Sequence, residues 1–250
     1  MKTSTSTPSA DEVFPSGGYR PDRARNATVQ VFEHLRRRIV SLAIPPGTVL
    51  DRPQLSEYFQ LSLSPIREAL LRLEEEKLVD IFPQHQTCVR GIDLASARQA
   101  HFMRLSVELE IVWVLAQAPN PVLEKTLLTL TARQRACLDN DDLEGFTAID
   151  LAFHQHMYQE AALPDLWATM RSQSGNLDRL RRLHLPVIGK AHSILAQHTA
   201  IARCIGRGDG AGAQALVRTH LSGTMSALEA LRTQFPGLIL PPDYAAAYSA

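Results

Sequence analysis

From Thr28 onward the apolar residues recur at helical steps. Val29, Phe32, Leu35, Ile39 and Leu42 lie three or four apart, with Arg36, Arg37 and Arg38 between them. Pro45, Pro46 and Gly47 end this helix, and Val49–Leu50 reads as a short extended piece. Asp51 can cap a second helix, with Pro53 in its first turn and Leu55 and Phe59 on its buried face. After the turn LSLS a third helix opens with Pro65 and runs to about Glu76. Its inward face is Ile66, Leu70 and Leu73, while Arg67, Glu68 and Arg72 look outward. Residues 79–82 and 87–91 are short strands joined by PQHQ at 83–86.

Beyond residue 91 the strand signal all but disappears. Asp93 caps a long amphipathic stretch through Arg104, Glu108 and Trp113, ending near Pro119–Pro121. Further helices are expected at about 122–139, 143–161, 164–185 (unless Gly175 breaks it), 190–207 and 211–235. The turn Gly208-Asp209-Gly210 separates the last two. Short connections between amphipathic helices make this half a bundle. The fold expected is mainly α: a winged helix-turn-helix followed by an all-α antiparallel helical bundle. Its boundaries fall at 27–92 and 93–235, flanked by a disordered Ser/Thr/Pro/Gly-rich tail at 1–26 and a second tail at 236–250.

Composition narrows the function classes. The chain is 45% hydrophobic and 21% charged, which excludes wholesale disorder and collagen-like repeats. No apolar run is long enough for a membrane helix, and the N-terminus lacks the apolar core of a signal peptide. Three scattered cysteines without a CxxC read as free thiols of a cytoplasmic protein. Twenty-six basic residues balance twenty-six acidic ones, so bulk charge announces no nucleic acid. A DNA-binding assignment must come from individual residues.

Those residues are present. In a helix-turn-helix the second helix of the motif enters the major groove by its N-terminal end. Here that end is SLSPIR, residues 62–67: Ser62 and Ser64 can cap the helix or offer hydroxyls to phosphate, and the Arg67 fork can take a guanine or a phosphate. Arg72 on the same outward face and His85 at the wing tip complete the expected DNA-contacting set.

A second constellation lies in the bundle. Asp150 and His154 are four apart and share one helix face. His198 and His220 each lie eleven residues from Asp209, so an antiparallel hairpin sets them level. Three imidazoles and a carboxylate suit a divalent ion (zinc, nickel or manganese) with positions open for a ligand oxygen. Neutral imidazole is required, so occupancy is expected to fall below about pH 6.5. The chain carries nine histidines, and scattered histidines without a metal are the competing reading.

Residues 28–91 resemble the winged-helix domain of the GntR family of bacterial regulators, through IPPGTVL (44–50), LSEYF (55–59), SPIREALLRLEEEKLV (64–79) and the wing PQHQTCV (83–89). Three positions depart from that pattern. Leu63 stands where the family usually has arginine, Lys77 where it usually has glycine, and the wing tip near His85–Gln86 carries no glycine. Residues 28–91 hold eight basic and eight acidic side chains, which implies modest non-specific binding. About 94–232 is similar to the helical effector domain of the FadR-like branch of that family, through R104-x-x-x-E108, D150-x-x-F153-H154, QHTAIARCIGRGD (197–209) and THL (219–221). The resemblance implies that Asp150, His154, His198 and His220 hold a divalent metal. It also implies that Arg104 faces an effector carboxylate; an i,i+4 salt bridge with Glu108 is the alternative for that arginine.

The function implied is a ligand-responsive transcription regulator, more often a repressor in this family. It would bind an operator in double-stranded DNA as a homodimer and answer to a small organic acid. The rival is a helical metallohydrolase using the same His/Asp site. No HExxH or paired-carboxylate signature supplies it with a base. A helical adaptor stapled by its metal is a third reading.

Overall fold

The computed structural model describes residues 13–15, 18–82 and 85–241. The outermost parts of both expected tails and the wing residues Pro83 and Gln84 lie outside the described residues. The chain divides into two compact units. One takes the described residues up to Ala97 together with those from Arg232 onward, and the other is Arg98–Leu231.

The first unit contains helices α1 (Ala27–Val40), α2 (Arg52–Phe59) and α3 (Leu63–Glu75), then strands β1 (Val79–Ile81) and β2 (Thr87–Val89). The strands pair antiparallel, with Val79 opposite Val89 and Ile81 opposite Thr87. Val49 adds an isolated bridge to Cys88. Asn26 and Asp51 cap α1 and α2 through their side chains, accepting from Val29 N–H and Gln54 N–H. The core takes Leu35 and Ile39 from α1, Leu55 and Phe59 from α2, Ile66, Leu70 and Leu73 from α3, and Val89 from the wing. This is the winged helix-turn-helix expected from the pattern.

Two expectations about the tails are corrected. Val13 and Phe14 are buried in this same core, and Tyr19 packs against it. Phe14 meets Tyr58 edge to face at 5.3 Å, and Val13 O accepts from Arg38 Nη1 at 2.9 Å. The buried Gln30 amide clamps the backbone of Asp22 and Arg25. Sequence reasoning missed this because Val13, Phe14 and Tyr19 are too sparse to show any period. At the other end Ile239 is buried, and Ile92 N–H donates to Leu238 O while Leu240 N–H donates to Ile92 O. The stretch 238–240 is therefore part of the winged unit, not a tail.

The second unit is wholly helical among its described residues: α4 (Leu94–Gln117, entered from the first unit), α5 (Pro121–Asp139), α6 (Leu143–Glu160), α7 (Pro164–Gln173), α8 (Gly175–His184), α9 (Lys190–Gly206), α10 (Gly210–Ser226) and α11 (Leu228–Gln234, shared with the first unit). Asn120, Asp142 and Asp209 cap α5, α6 and α10 through their side chains. The stretch 164–185 is broken at Ser174 beside Gly175, and the expected last helix is broken at Ala227. Phe153, Met157, Leu127, Ile201 and Val217 form its centre.

Candidate metal centre and DNA-reading surface

Helices α6, α9 and α10 bring the predicted four together. Asp150 and His154 point from one face of α6, and the α9–α10 hairpin sets His198 beside His220. One ligand atom from each of the four lies within 4.8 Å of the others, and all four side chains are buried. The Nε2 atoms of His154 and His198 are each 3.2 Å from His220 Nε2, and His198 Nε2 is 3.6 Å from Asp150 Oδ1.

The outer ring nitrogens decide what this cluster can do. His198 Nδ1–H donates to Gln134 Oε1 at 2.7 Å, and His220 Nδ1–H to Gln197 Oε1 at 3.0 Å. His154 Nδ1 sits 2.7 Å from the Glu108 carboxylate. A neutral imidazole with its proton on Nδ1 carries a bare lone pair on Nε2. Three such lone pairs face one another, with no proton to join them. Asp150 Oδ1, buried and without a hydrogen-bond partner among the described residues, adds a fourth. This donor set fits a cation; the glutamines hold His198 and His220 in the ligating tautomer, and the Glu108 carboxylate stands where it favours the same tautomer of His154.

Electrostatics agree. Burial drives His198 down to about 3, against the pull of Asp150. His220 is held well below its ordinary value by burial and then by His198 and His154, and burial also lowers His154 against the pull of Glu108. Burial would raise the Asp150 carboxyl, but Arg181, 2.6 Å away, holds it well below the usual range. The imidazoles are thus neutral and the carboxylate ionised, the protonation states a divalent ion requires. In the folded protein it is burial that sets where these imidazoles protonate, below the ordinary histidine value.

Arg104 makes the i,i+4 salt bridge with Glu108, the alternative reading for it. Its Nε donates to Glu108 Oε1 at 2.7 Å, and its buried Nη2 has no hydrogen-bond partner among the described residues. It lines a narrow cavity with His220, Arg181, Lys190, Leu221 and Thr224. Gly223 leaves room for Lys190, whose Nζ would lie 2.5 Å from any Cβ there. Sequence reasoning missed Gln134, Gln197, Arg181 and Lys190. Long polar side chains have no spacing that marks them as partners of a ligand. His156 pairs at 3.7 Å with Glu160 and His192 is exposed, so both stand apart from the cluster.

In the winged unit Ser62, Ser64, Arg67 and His85 are exposed. Ser62 is the N-cap residue of α3, but its side chain makes no capping bond, and its hydroxyl stays available. The Arg72 guanidinium is stacked 4.2 Å from the Phe32 ring centroid, which ties it to α1.

Residues 27–89 match the description "Bacterial regulatory proteins, gntR family", and residues 99–223 match the FCD domain. The chain belongs to the GntR family. Over 208 residues it is 32% identical to an uncharacterised HTH-type transcriptional regulator in an unstable DNA locus of Streptomyces ambofaciens, spanning 83% of this chain and 87% of that one. It is 28% identical to the HTH-type transcriptional repressor RspR of Escherichia coli K12, over 82% of this chain and 90% of that one. The structure of E. coli McbR/YncC superposes with a TM-score of 0.69 at 18% identity, covering 84% of this chain and 99% of that one. That last likeness concerns the fold alone. This GntR-family protein is a DNA-binding transcription regulator and not an enzyme, which removes the metallohydrolase reading. No helix among the described residues is long and apolar enough to cross a membrane.

Proposed function

We propose that this GntR-family regulator is a repressor whose operator affinity is set by a small organic acid bound at a divalent-metal site. The carrying observation is the convergence of Asp150 Oδ1 and three Nε2 lone pairs beside the unpartnered Arg104 Nη2. The ion would be held by Asp150, His154, His198 and His220, and would offer an open position to a ligand oxygen. Arg104 binds the effector carboxylate, and Lys190 and Arg181 add positive charge at the same cavity. Arg181 on α8 is also the partner of Asp150 on α6, so an anion competing for Arg181 alters the α6–α8 contact. That difference in contacts is what a ligand needs in order to favour one state over another.

Two chains would place two α3 helices on a pseudo-palindromic operator, with Ser62, Ser64, Arg67 and Arg72 at the groove and His85 at the wing. Residues 27–92, with the docked Val13, Phe14 and 238–240, would bind DNA, and 93–235 would sense the effector and dimerise. The name of RspR supports the sign of regulation.

The test is a thermal-stability screen of the full protein against small carboxylates, with and without chelator, followed by gel shifts on DNA upstream of its own gene. A carboxylate should raise the melting temperature only in the metal-loaded protein, and the same acid should weaken operator binding. Stabilisation that persists in chelator would remove the metal from the reading. Arg67→Ala should cost about 1–3 kcal/mol of operator affinity if its fork is bidentate to a guanine.

A further inference from the structure

Helices α1 and α3 touch at a constant separation of forty residues. Thr28 Oγ1 donates to Glu68 Oε2 at 2.9 Å, Arg72 stacks on Phe32, and Arg36 Nε donates to Glu76 Oε2 at 2.5 Å. Each step is four residues on both helices, about one turn, so the two run parallel with their N-terminal ends together. The residues that lead directly into Thr28 therefore stand at the leading end of α3, the end that enters the major groove, while Tyr19 and Val13 lie further back along α1.

What precedes Thr28 is YRPDRARNA, docked and basic. Tyr19 packs on Phe59 and His34 at ring distances of 4.9 and 4.8 Å. The Gln30 amide holds Asp22 O at 2.9 Å and Arg25 O at 3.1 Å, which fixes the turn 22–25 over the first turn of α1. Arg20, Arg23 and Arg25 are exposed. Arg20 and Arg23 make no ion pair among the described residues, and Arg25 pairs only with Glu33, both side chains about half exposed. Such a surface pair yields readily to another anion. Residues 28–91 are charge-neutral, and the arm adds three arginines against the single Asp22. It does so at the level where Leu63, uncharged and 53% exposed, occupies the start of α3.

The geometry points to an N-terminal arm that is part of the DNA-binding surface. Arg23, with Arg25 and Arg20 beside it, takes backbone phosphates flanking the groove entered by α3. The partner is duplex DNA because the charge is positive, exposed and level with the recognition helix. The contact is to phosphate because the turn held by Gln30 lies on the flank of α1, a helix that does not itself enter the groove.

Fluorescence anisotropy of the full chain on a labelled duplex of scrambled sequence tests this without knowledge of the operator. The slope of log K against log salt should fall by roughly 1 for Arg23→Ala and roughly 2 for the Arg23→Ala/Arg25→Ala pair. Arg23→Lys should keep the wild-type slope, as should Arg203→Ala at an exposed position of α9 in the second unit. All four variants should melt with the wild type, since the changed side chains are exposed. A double variant whose slope equals that of wild type and Arg203→Ala would overturn the proposal. A loss on the upstream duplex that is absent on the scrambled one would overturn the phosphate assignment, because phosphate contacts carry no base information.

Discussion

At the scale of single residues, the cluster rests on how each imidazole is turned. His198 and His220 are each fixed by a glutamine on Nδ1 and offer Nε2 inward. Elemental analysis of purified variants should therefore show His198→Ala and His220→Ala without the ion, while His156→Ala and His192→Ala retain it. Gln134→Ala should keep all four ligands yet lose affinity by roughly 10–100-fold, because nothing then orients His198. The spacing of an i,i+4 pair and of two residues equidistant from a turn singled out the four cluster residues, with scattered histidines as the competing reading, and the family resemblance implied the same set. Their supporting glutamines were not legible, since hydrogen-bond partners from other helices leave no periodic trace. Acid behaviour follows from the same burial. His198 stays neutral down to about 3 in the folded state, whereas the unfolded chain takes up protons near its ordinary value of about 6.5. Below 6.5 the unfolded state thus binds more protons, and stability falls with pH until the folded value is reached. A melting series of chelated protein from pH 7.5 to 4.5 should fall steadily across about 6.5 and below; a flat series would mean that the cluster is hydrated and titrates normally.

At the scale of elements, the end of α3 shows why one departure from the family pattern matters. Lys77 has φ 55°, in the left-handed region, its N–H donates to Glu74 O, and Leu78 N–H donates to Leu73 O. This is a Schellman cap, closed by the buried pair Leu73 and Leu78. Glycine suits the left-handed position because any Cβ there costs roughly 1–2 kcal/mol. Lys77→Gly should therefore raise the stability of the winged unit by up to about 1 kcal/mol, the extra freedom of the unfolded glycine taking back part of the gain. Chemical denaturation would check this; a destabilised variant would show that the Lys77 side chain contributes more than its backbone costs. Most helices were legible because a 3.6-residue period runs through them and an Asn, Asp or Pro marks their starts. The break beside Gly175 was offered by that glycine, but the one at Ala227 was not legible, for alanine is no breaker and the apolar period continues across it. The docked arm was hidden for the opposite reason: Val13, Phe14 and Tyr19 bind the core individually, without a repeat.

At the scale of the whole molecule, the winged unit is discontinuous in sequence: the chain leaves it at Ala97 and returns at Arg232. Its closure depends on residues at the far end of the polypeptide. Ile239 is buried, two backbone hydrogen bonds join 238–240 to Ile92, and Leu240 lies so close over Gly91 that a Cβ there would meet it at 2.5 Å. Burying an isoleucine is worth about 1.5–3 kcal/mol and each backbone hydrogen bond roughly 0.5–1.5 net. A chain ending at Phe235 should accordingly lose roughly 3 kcal/mol or more from the winged unit, with weaker DNA binding at 37 °C. The ligand cluster lies wholly within Arg98–Leu231, so the truncated protein should keep its metal content. Ile239→Ala isolates the side chain from the backbone pairing and should reproduce about half of the loss. Gly91→Val should act in the same direction, since its side chain would displace Leu240. Differential scanning calorimetry separates the alternatives. If 238–240 is integral to the winged unit, truncation lowers one transition and leaves the metal-dependent one in place. If both transitions are unchanged, the segment is only laid against the surface and the return of the chain at Arg232 has no structural consequence.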